Sequence, residues 1–241
     1  MQDATDNFDL HRAREIAQEI IDNLTKLNDV SLNHVIACFY DRLGIIAFEE
    51  RNFQEAIGFY KKSLKIYEDE GNLDGIAFVY HELGTVSEMQ YNFDDAILYY
   101  QKSSKINEDK GNIYKTALNY SKLASIAGKQ LDYPLAFKYY DKALQIYQNA
   151  EDESGIASTY YNLGILGTTC ARVTQNKQEL LSSANTFLCI SLQIREDKGN
   201  LYEASFNYHQ LGIVAFLNKD YESAISYHYK AIGIRETLEA W

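Results

Sequence analysis

The sequence predicts an all-α protein made of five consecutive helix–turn–helix units. Its 241 residues include only one proline and 13 glycines, so few residues interrupt long helices. The dipeptide Leu-Gly, or Leu-Ala in one copy, returns at intervals of 40 residues and finally of 48, always with a tyrosine three residues earlier. The five copies are Tyr40-x2-Leu43-Gly44, Tyr80-x2-Leu83-Gly84, Tyr120-x2-Leu123-Ala124, Tyr160-x2-Leu163-Gly164 and Tyr208-x2-Leu211-Gly212. A period of this length is typical of repeat proteins, in which each unit is one supersecondary motif.

A second pattern follows each copy and predicts the second helix of the unit. A small residue, a large residue four positions later and a small residue three positions after that share one helical face. The copies are Ala56-x3-Tyr60-x2-Ser63, Ala96-x3-Tyr100-x2-Ser103, Ala136-x3-Tyr140-x2-Ala143, Ala184-x3-Leu188-x2-Ser191 and Ala224-x3-His228-x2-Ala231. We expect the small residues to let two helices approach closely, while the aromatic residues fill the space between neighbouring units.

Turn residues separate the predicted helices. An asparagine or aspartate precedes the second helix of four units, and we expect its side chain to cap the free N–H groups there. These residues are Asn52, Asn92, Asp132 and Asp220. A Gly-Asn pair closes three of the second helices, where a left-handed residue is favoured. Their glycines are Gly71, Gly111 and Gly199.

The predicted elements begin with an amphipathic helix over 9–27, which we expect to cap the N-terminus. Five helix pairs follow, at 33–50 with 53–70, 73–90 with 93–110, 113–130 with 133–150, 153–171 with 179–198, and 201–218 with 221–238. We therefore divide the chain into a capping segment, 1–30, and a repeat array, 31–241. An eight-residue insertion near 170–181 is predicted to lengthen the turn of the fourth pair, either as a functional loop or as a tolerated insertion.

The combined pattern, Tyr-x2-Leu-Gly followed by Ala-x3-aromatic-x2-small, resembles the tetratricopeptide repeat in a 40-residue form. It is similar to the repeats of kinesin light chains, cell-polarity adaptors and many bacterial signalling proteins, and it covers about residues 31–240. The resemblance implies a right-handed α-solenoid with a concave face, formed by five repeats and the N-terminal capping helix. It also implies a non-enzymatic scaffold that binds a protein or a peptide.

Charge and composition argue against several classes of function. The net charge is −11 and no run of lysine and arginine exceeds two residues, which argues against nucleic-acid binding. No apolar stretch is long enough to cross a membrane, so we predict a soluble cytoplasmic protein without a membrane partner. Cys38, Cys170 and Cys189 form no CxxC pair, and we expect small buried thiols in place of a disulfide framework or a metal site.

Known enzymatic motifs are absent from the sequence, which lacks GxSxG, GxxxxGKS, GxxxxGKT, GxGxxG and HExxH. The five histidines are expected to be structural. His81 and His209 are three units apart and cannot share a metal, and we interpret His11, His34 and His228 as having no ligand-forming neighbour. We therefore predict no catalytic residue, no cofactor and no metal.

The resemblance also assigns candidate binding residues, since the first helix of each unit lines the concave face in this family. The positions lie six and three residues before the glycine and one, four and five residues after it. They give the candidates Asp41, Phe48, Glu49, Phe78, His81, Glu88, Ser121, Lys129, Tyr161, Ile165, Phe206, His209 and Phe216. One lysine and no arginine or asparagine stand at these positions, which argues against a partner held by its C-terminal carboxylate.

The candidate surface changes from acidic residues near its start to aromatic residues near its end, which favours a basic or amphipathic protein segment as the partner. A competing interpretation is that Phe206 and Phe216 pack against a following unit. The last predicted helix also carries apolar residues that nothing covers, namely Ile225, Ile232, Ile234 and Leu238.

We expect the array either to continue in a longer protein or to self-associate through this end. The alternative function is therefore a regulatory sensor arm of a bacterial effector, such as a protease, a signalling NTPase or a kinase.

Overall fold

A computed structural model describes residues 2–239, with side chains described from residue 10 to residue 238. Within this part of the chain there are eleven α-helices, one 3₁₀ turn at Val30–Leu32 and no β-strand. The helices are α1 (Gln2–Leu27), α2 (Asn33–Glu49), α3 (Phe53–Glu70), α4 (Leu73–Met89), α5 (Phe93–Asp109), α6 (Ile113–Lys129), α7 (Tyr133–Asn149), α8 (Glu153–Ala171), α9 (Lys177–Asp197), α10 (Leu201–Leu217) and α11 (Tyr221–Glu239). All five predicted pairs are present, and α1 begins at Gln2, earlier than predicted.

The helices pack in consecutive pairs, α2 with α3, α4 with α5, α6 with α7, α8 with α9, and α10 with α11. The predicted fold class, an all-α solenoid of helix–turn–helix repeats, is confirmed. The chain forms two compact units, one ending at Asn112 and the other beginning at Ile113. The first unit holds α1–α5, with α3 also packed on α4, and the second holds α6–α11, with α7 packed on α8 and α9 on α10.

The N-terminal helix α1 packs on α2 in the first unit. Ala17 and Ile21 are buried in a cluster with Ile36 and Leu43 of α2. Ile16 remains exposed although the helical pattern places it on the same face. The apolar stripe predicted for this helix is therefore covered only along part of its width.

The glycine of each Leu-Gly pair makes room for a large side chain from the second helix of the same pair. A Cβ atom at Gly44 would lie 2.5 Å from the ring of Tyr60, a contact that real Cβ atoms do not make. Tyr60 is completely buried. These aromatic residues therefore join the two helices within a pair. Tyr60 also packs in one cluster with Val79 and Leu83 of α4 and donates a hydrogen bond to Glu82 at 3.4 Å, so it fills the space between neighbouring units as predicted.

A second aromatic contact recurs in every pair and was not predicted. The tyrosine three residues before Leu-Gly lies beside an aromatic ring of the second helix, with ring centroids 5.8–6.3 Å apart. In four pairs a lysine ammonium also lies 4.8–5.3 Å from the centroid of that tyrosine ring. These lysines are Lys62, Lys102, Lys142 and Lys230. Such cation–π contacts fix the second helix against the first.

The turns follow the predicted residue types with one exception. The three predicted glycines have positive φ values of 66°, 69° and 70°. Side-chain oxygens of Asn92, Asp132 and Asp220 each accept a hydrogen bond from the backbone N–H three residues later. The predicted cap at Asn52 is wrong, because its amide nitrogen donates to Glu55 at 2.9 Å and its side chain forms no cap bond.

The eight-residue insertion is shared among three elements. Relative to the pair formed by α6 and α7, two residues lengthen the first helix, two lengthen the turn at 172–176 and four lengthen the second helix. The prediction of a longer turn is therefore correct for only a quarter of the insertion. In the described part of the chain, no helix has the length and apolar character needed to cross a membrane.

Candidate protein-interaction surface

The candidate binding residues lie on the first helix of each pair, in both units. In the first unit they are Asp41, Phe48 and Glu49 on α2, with Phe78, His81 and Glu88 on α4. In the second unit they are Ser121 and Lys129 on α6, Tyr161 and Ile165 on α8, and Phe206, His209 and Phe216 on α10. Their surroundings differ between the two units.

On α4 the candidate residues gather around one buried tyrosine of α5. The hydroxyl of Tyr100 donates to a Glu88 carboxylate oxygen at 3.0 Å and lies 3.1 Å from the Thr85 hydroxyl. The ring of His81 lies 5.4 Å from the ring of Tyr100. Burial raises the pKa of Tyr100, and the nearby Glu88 carboxylate adds to this shift. His81 and Glu88 are thus held half-buried on one polar face of the helix.

On α2 the candidate Asp41 points inward. It is only 7% exposed, and its carboxylate accepts a hydrogen bond of 2.7 Å from the Tyr67 hydroxyl. Burial raises the pKa of Asp41, and its hydrogen bonds oppose that shift. Phe48 is half-buried with its ring 5.8 Å from that of Phe53, and Glu49 is exposed. Of the α2 candidates, Glu49 and the accessible edge of Phe48 are therefore the ones a partner can reach.

A cysteine and a histidine meet beside Tyr67. Cys38 is exposed, and its Sγ atom lies 3.8 Å from His34 Nε2 and 3.6 Å from the Tyr67 hydroxyl. The interpretation of His34 as lacking such a neighbour is wrong, since the i to i+4 spacing brings the two side chains together on α2. The prediction of buried thiols is also wrong for Cys38 and Cys189, whereas Cys170 is buried.

Two side chains are too few for a metal centre. Among the described residues, no three histidine, cysteine or carboxylate side chains are placed to share a metal ion.

In the second unit, Tyr161 lies under an arginine from the second helix of its pair. The guanidinium of Arg195 is 4.8 Å from the Tyr161 ring centroid, and Arg195 is only 6% exposed. Its Nη1 group donates to the Asn207 side-chain oxygen and to the Glu203 carbonyl oxygen, both on α10. Its Nε atom lies 3.2 Å from the Glu203 carboxylate. Burial lowers the pKa of Arg195, and the Glu203 carboxylate opposes that shift.

The last pair repeats this arrangement with a second arginine. The guanidinium of Arg235 lies 4.7 Å from the Phe206 ring centroid, and its Nε donates to the Ser205 hydroxyl at 3.1 Å. The exposed His209 ring is 5.1 Å from the His228 ring. Desolvation lowers the pKa of His209, and the neighbouring His228 and Arg235 lower it further. The aromatic character predicted for this part of the surface is therefore present, and the arginines add a positive charge that was not predicted.

The remaining candidates differ in their exposure. Ser121 and Ile165 are half-buried, and Lys129 is exposed. Phe216 is 59% exposed, with its ring 5.7 Å from that of Tyr221. Phe78 is half-buried in the core of the first unit.

The sequence analysis missed the contribution of the second helices. The arginines stand seven residues after the large residue of the Ala-x3-aromatic pattern. The five residues at this position are Tyr67, Asn107, Tyr147, Arg195 and Arg235. The change from tyrosine and asparagine to arginine in the last two repeats is the signal that could have revealed the cationic end.

Comparison with known proteins supports the repeat assignment. A family model described as tetratricopeptide repeat matches residues 35–109 and 115–166. No curated protein matches the chain significantly.

Several solved structures share the fold. BtubC (BKLC) from P. vanneervenii is 22% identical with a TM-score of 0.80, and the match covers 96% of this chain and 93% of that chain. A Rap protein complexed with Competence and Sporulation Factor is 18% identical with a TM-score of 0.68, covering 92% of this chain and 59% of that one. A signal transduction ATPase with a tetratricopeptide repeat sensor, from Pyrococcus horikoshii, is 18% identical with a TM-score of 0.70, covering 97% and 38%. At these identities the likeness concerns the fold alone.

Proposed function

Because this chain belongs to the tetratricopeptide repeat family, we propose that it is a non-enzymatic interaction module that binds a protein or peptide segment. The binding surface is formed by the first helices of its repeats. The observation that supports this most directly is the polar face of α4, where Tyr100 orders His81 and Glu88 while leaving both accessible. Rigid, half-buried polar and aromatic groups lose little entropy on binding, which suits them to recognition.

The partner of the first unit is proposed to be basic or amphipathic. Glu49, Glu82 and Glu88 are accessible carboxylates on its first helices, in a protein of net charge −11. Complementary charge favours association and selects against acidic partners. The same proposal locates the module in the cytoplasm, where free cysteines persist in the reduced state.

Affinity capture from a lysate of the source cells tests the proposal. We expect the double variant His81→Ala with Tyr161→Ala to lose proteins that the wild-type chain captures. The control is His11→Ala with Tyr91→Asn, which removes the same residue types from exposed positions outside the first helices of the pairs. Asparagine suits the positive φ of residue 91. Capture of the same proteins by both double variants would contradict recognition on this surface.

A regulatory sensor arm is the second candidate function. It is favoured by the likeness to an ATPase whose tetratricopeptide repeat part is named as a sensor. In that case the native polypeptide is larger than 27.7 kDa and carries an effector domain. Immunoprecipitation of the native protein with mass spectrometry of the whole chain separates the two candidates. Detection of the native protein only at 27.7 kDa, with no larger form, would contradict the sensor-arm candidate.

A further inference from the structure

Cys38 is the exposed member of a cluster of polar side chains in the first unit. His34, Cys38 and Asp41 are spaced by four and three residues on α2, so their side chains share one face of that helix. The Tyr67 hydroxyl of α3 lies 3.6 Å from Cys38 Sγ and 2.7 Å from an Asp41 carboxylate oxygen. In the other four repeats the position of Cys38 is occupied by Phe78, Leu118, Ser158 and Phe206. The cluster therefore belongs to the first repeat.

His34 offers a hydrogen-bond donor to the sulfur of Cys38. The side-chain oxygen of Asn72 accepts from the Gly75 backbone N–H at 3.1 Å, so the Asn72 amide nitrogen is the atom that lies 3.4 Å from His34 Nδ1. Because this nitrogen donates to Nδ1, a neutral His34 ring carries its proton on Nε2. A protonated ring carries a proton there as well. Nε2 lies 3.8 Å from Cys38 Sγ, so an N–H group faces the sulfur in both states.

Tyr67, on the other side of the sulfur, keeps its proton for Asp41. Its hydroxyl donates to one Asp41 carboxylate oxygen, and the other oxygen is buried without a hydrogen-bond partner among the described residues. Burial raises the pKa of Tyr67, and the hydrogen bond to Asp41 raises it further. The Tyr67 oxygen can therefore accept a hydrogen bond from the thiol, whereas His34 is the donor that a thiolate at Cys38 would face.

Charges of both signs surround this cluster. Arg42 stands one turn after Cys38 on α2, and its charge opposes the upward shift that burial gives to the pKa of Asp41. A Glu70 carboxylate oxygen of α3 lies 4.0 Å from His34 Nδ1. An uncharged reagent therefore tests the sulfur itself, because it is neither attracted nor repelled by these groups.

We propose that Cys38 is a modification site, where the thiolate exchanges with a low-molecular-weight disulfide to form a mixed disulfide. Cys38 Sγ attacks one sulfur of the disulfide and forms a new S–S bond. The original S–S bond breaks, and the second sulfur leaves with the electron pair and takes a proton from solvent. His34 is a positioning residue, which donates Nε2–H to the attacking thiolate. The inference goes beyond the proposed function and does not depend on it.

Cys189 is the matched control within the same chain. It is also exposed, but its Sγ lies 3.9 Å from the Asn185 amide nitrogen, and desolvation raises the pKa of its thiol. The probe is dithiodipyridine, an uncharged disulfide, and mass spectrometry of peptides from the quenched full chain gives the rate at each cysteine. We expect Cys38 to react about tenfold faster than Cys189 near neutral pH, because more of the Cys38 thiol is available as thiolate.

Variants of His34 test the role of the Nε2–H donor. We expect His34→Phe to slow the reaction of Cys38 by about fivefold, the effect of losing one hydrogen bond, and to leave Cys189 unchanged. His34→Gln keeps an N–H donor and should recover part of the rate. His11→Phe removes the same residue type from α1 and should change neither rate. Buried Cys170 reports any folding defect, since unfolding would expose it to the probe.

Equal rates at Cys38 and Cys189 in the wild-type chain would overturn the inference. An unchanged rate at Cys38 in His34→Phe, or the same loss in His34→Phe and His34→Gln, would overturn the role of His34. The lysate capture with the His81 and Tyr161 variant is made with reduced protein. Failure of the proposed function and failure of this inference are therefore distinguishable.

Discussion

Gly44 lies where a side chain of the second helix leaves no room for a Cβ atom. A methyl group there would meet the buried Tyr60 ring, so we expect Gly44→Ala to lower the free energy of unfolding by about 1–3 kcal/mol through overpacking. Gly58→Ala is the control, because nothing lies within 4 Å of the added atom. Alanine favours the helix over glycine there, and stability should rise by about 0.5–1 kcal/mol. Urea unfolding measures both, and equal effects of the two variants would contradict the close approach.

Tyr67 supports a buried carboxylate, and its removal should have a pH-dependent effect. One oxygen of Asp41 already lacks a partner, and Tyr67→Phe removes the donor to the other. We expect a loss of about 1–3 kcal/mol near neutral pH. Burial raises the pKa of Asp41 above its unfolded value, so protonation favours the folded state as the pH falls through that raised pKa. Tyr67→Phe raises the pKa of Asp41 further, because the hydrogen bond to its carboxylate is lost. The loss of free energy of unfolding should therefore be smaller in acid than near neutral pH.

Urea unfolding at neutral and acidic pH measures this deficit. Tyr229→Phe, at an exposed position, is the control and should change stability little at either pH. A deficit of the same size at both pH values would contradict the role of the Asp41 charge.

At the scale of the element, the lysine and tyrosine contacts fix one helix against the next. Lys62 and its neighbour Lys61 are both exposed, and the Lys62 ammonium lies 5.1 Å from the Tyr40 ring centroid and 5.4 Å from the Phe59 ring centroid. We expect Lys62→Met to lower the free energy of unfolding by about 0.5–1 kcal/mol more than Lys61→Met. Chemical denaturation of the two variants at equal salt measures the difference. A loss of free energy of unfolding in Lys61→Met that equals or exceeds the loss in Lys62→Met would contradict a stabilising cation–π contact.

The helix boundaries could be predicted closely because several sequence signals mark them in each repeat. Leu-Gly, the Ala-x3-aromatic pattern and the turn residues agree within each unit, and five copies reinforce one another. The insertion was harder to place, because helix propensity does not reveal whether extra residues extend a helix or a turn. Six of its eight residues extend α8 and α9, where the surrounding sequence continues the helical pattern.

At the scale of the whole molecule, the sequence predicted which positions on the first helices form the candidate surface. It did not predict which of their side chains are exposed. The sequence places Asp41 on the first helix, but its inward hydrogen bond to Tyr67 depends on packing between helices. Arg235 was missed because the second helices were not considered as contributors. Contacts between elements thus decide which side chains a partner can reach, and sequence periodicity does not encode them directly.

The central claim is that partners bind across the first helices of the repeats. Hydrogen–deuterium exchange of the full chain, alone and with a captured partner, tests it most directly. We predict slower exchange on binding in the first helices of the unit that the partner contacts, α2 and α4 or α6, α8 and α10, with little change at the turn formed by 172–176. Protection confined to that turn or to the second helices would contradict the account.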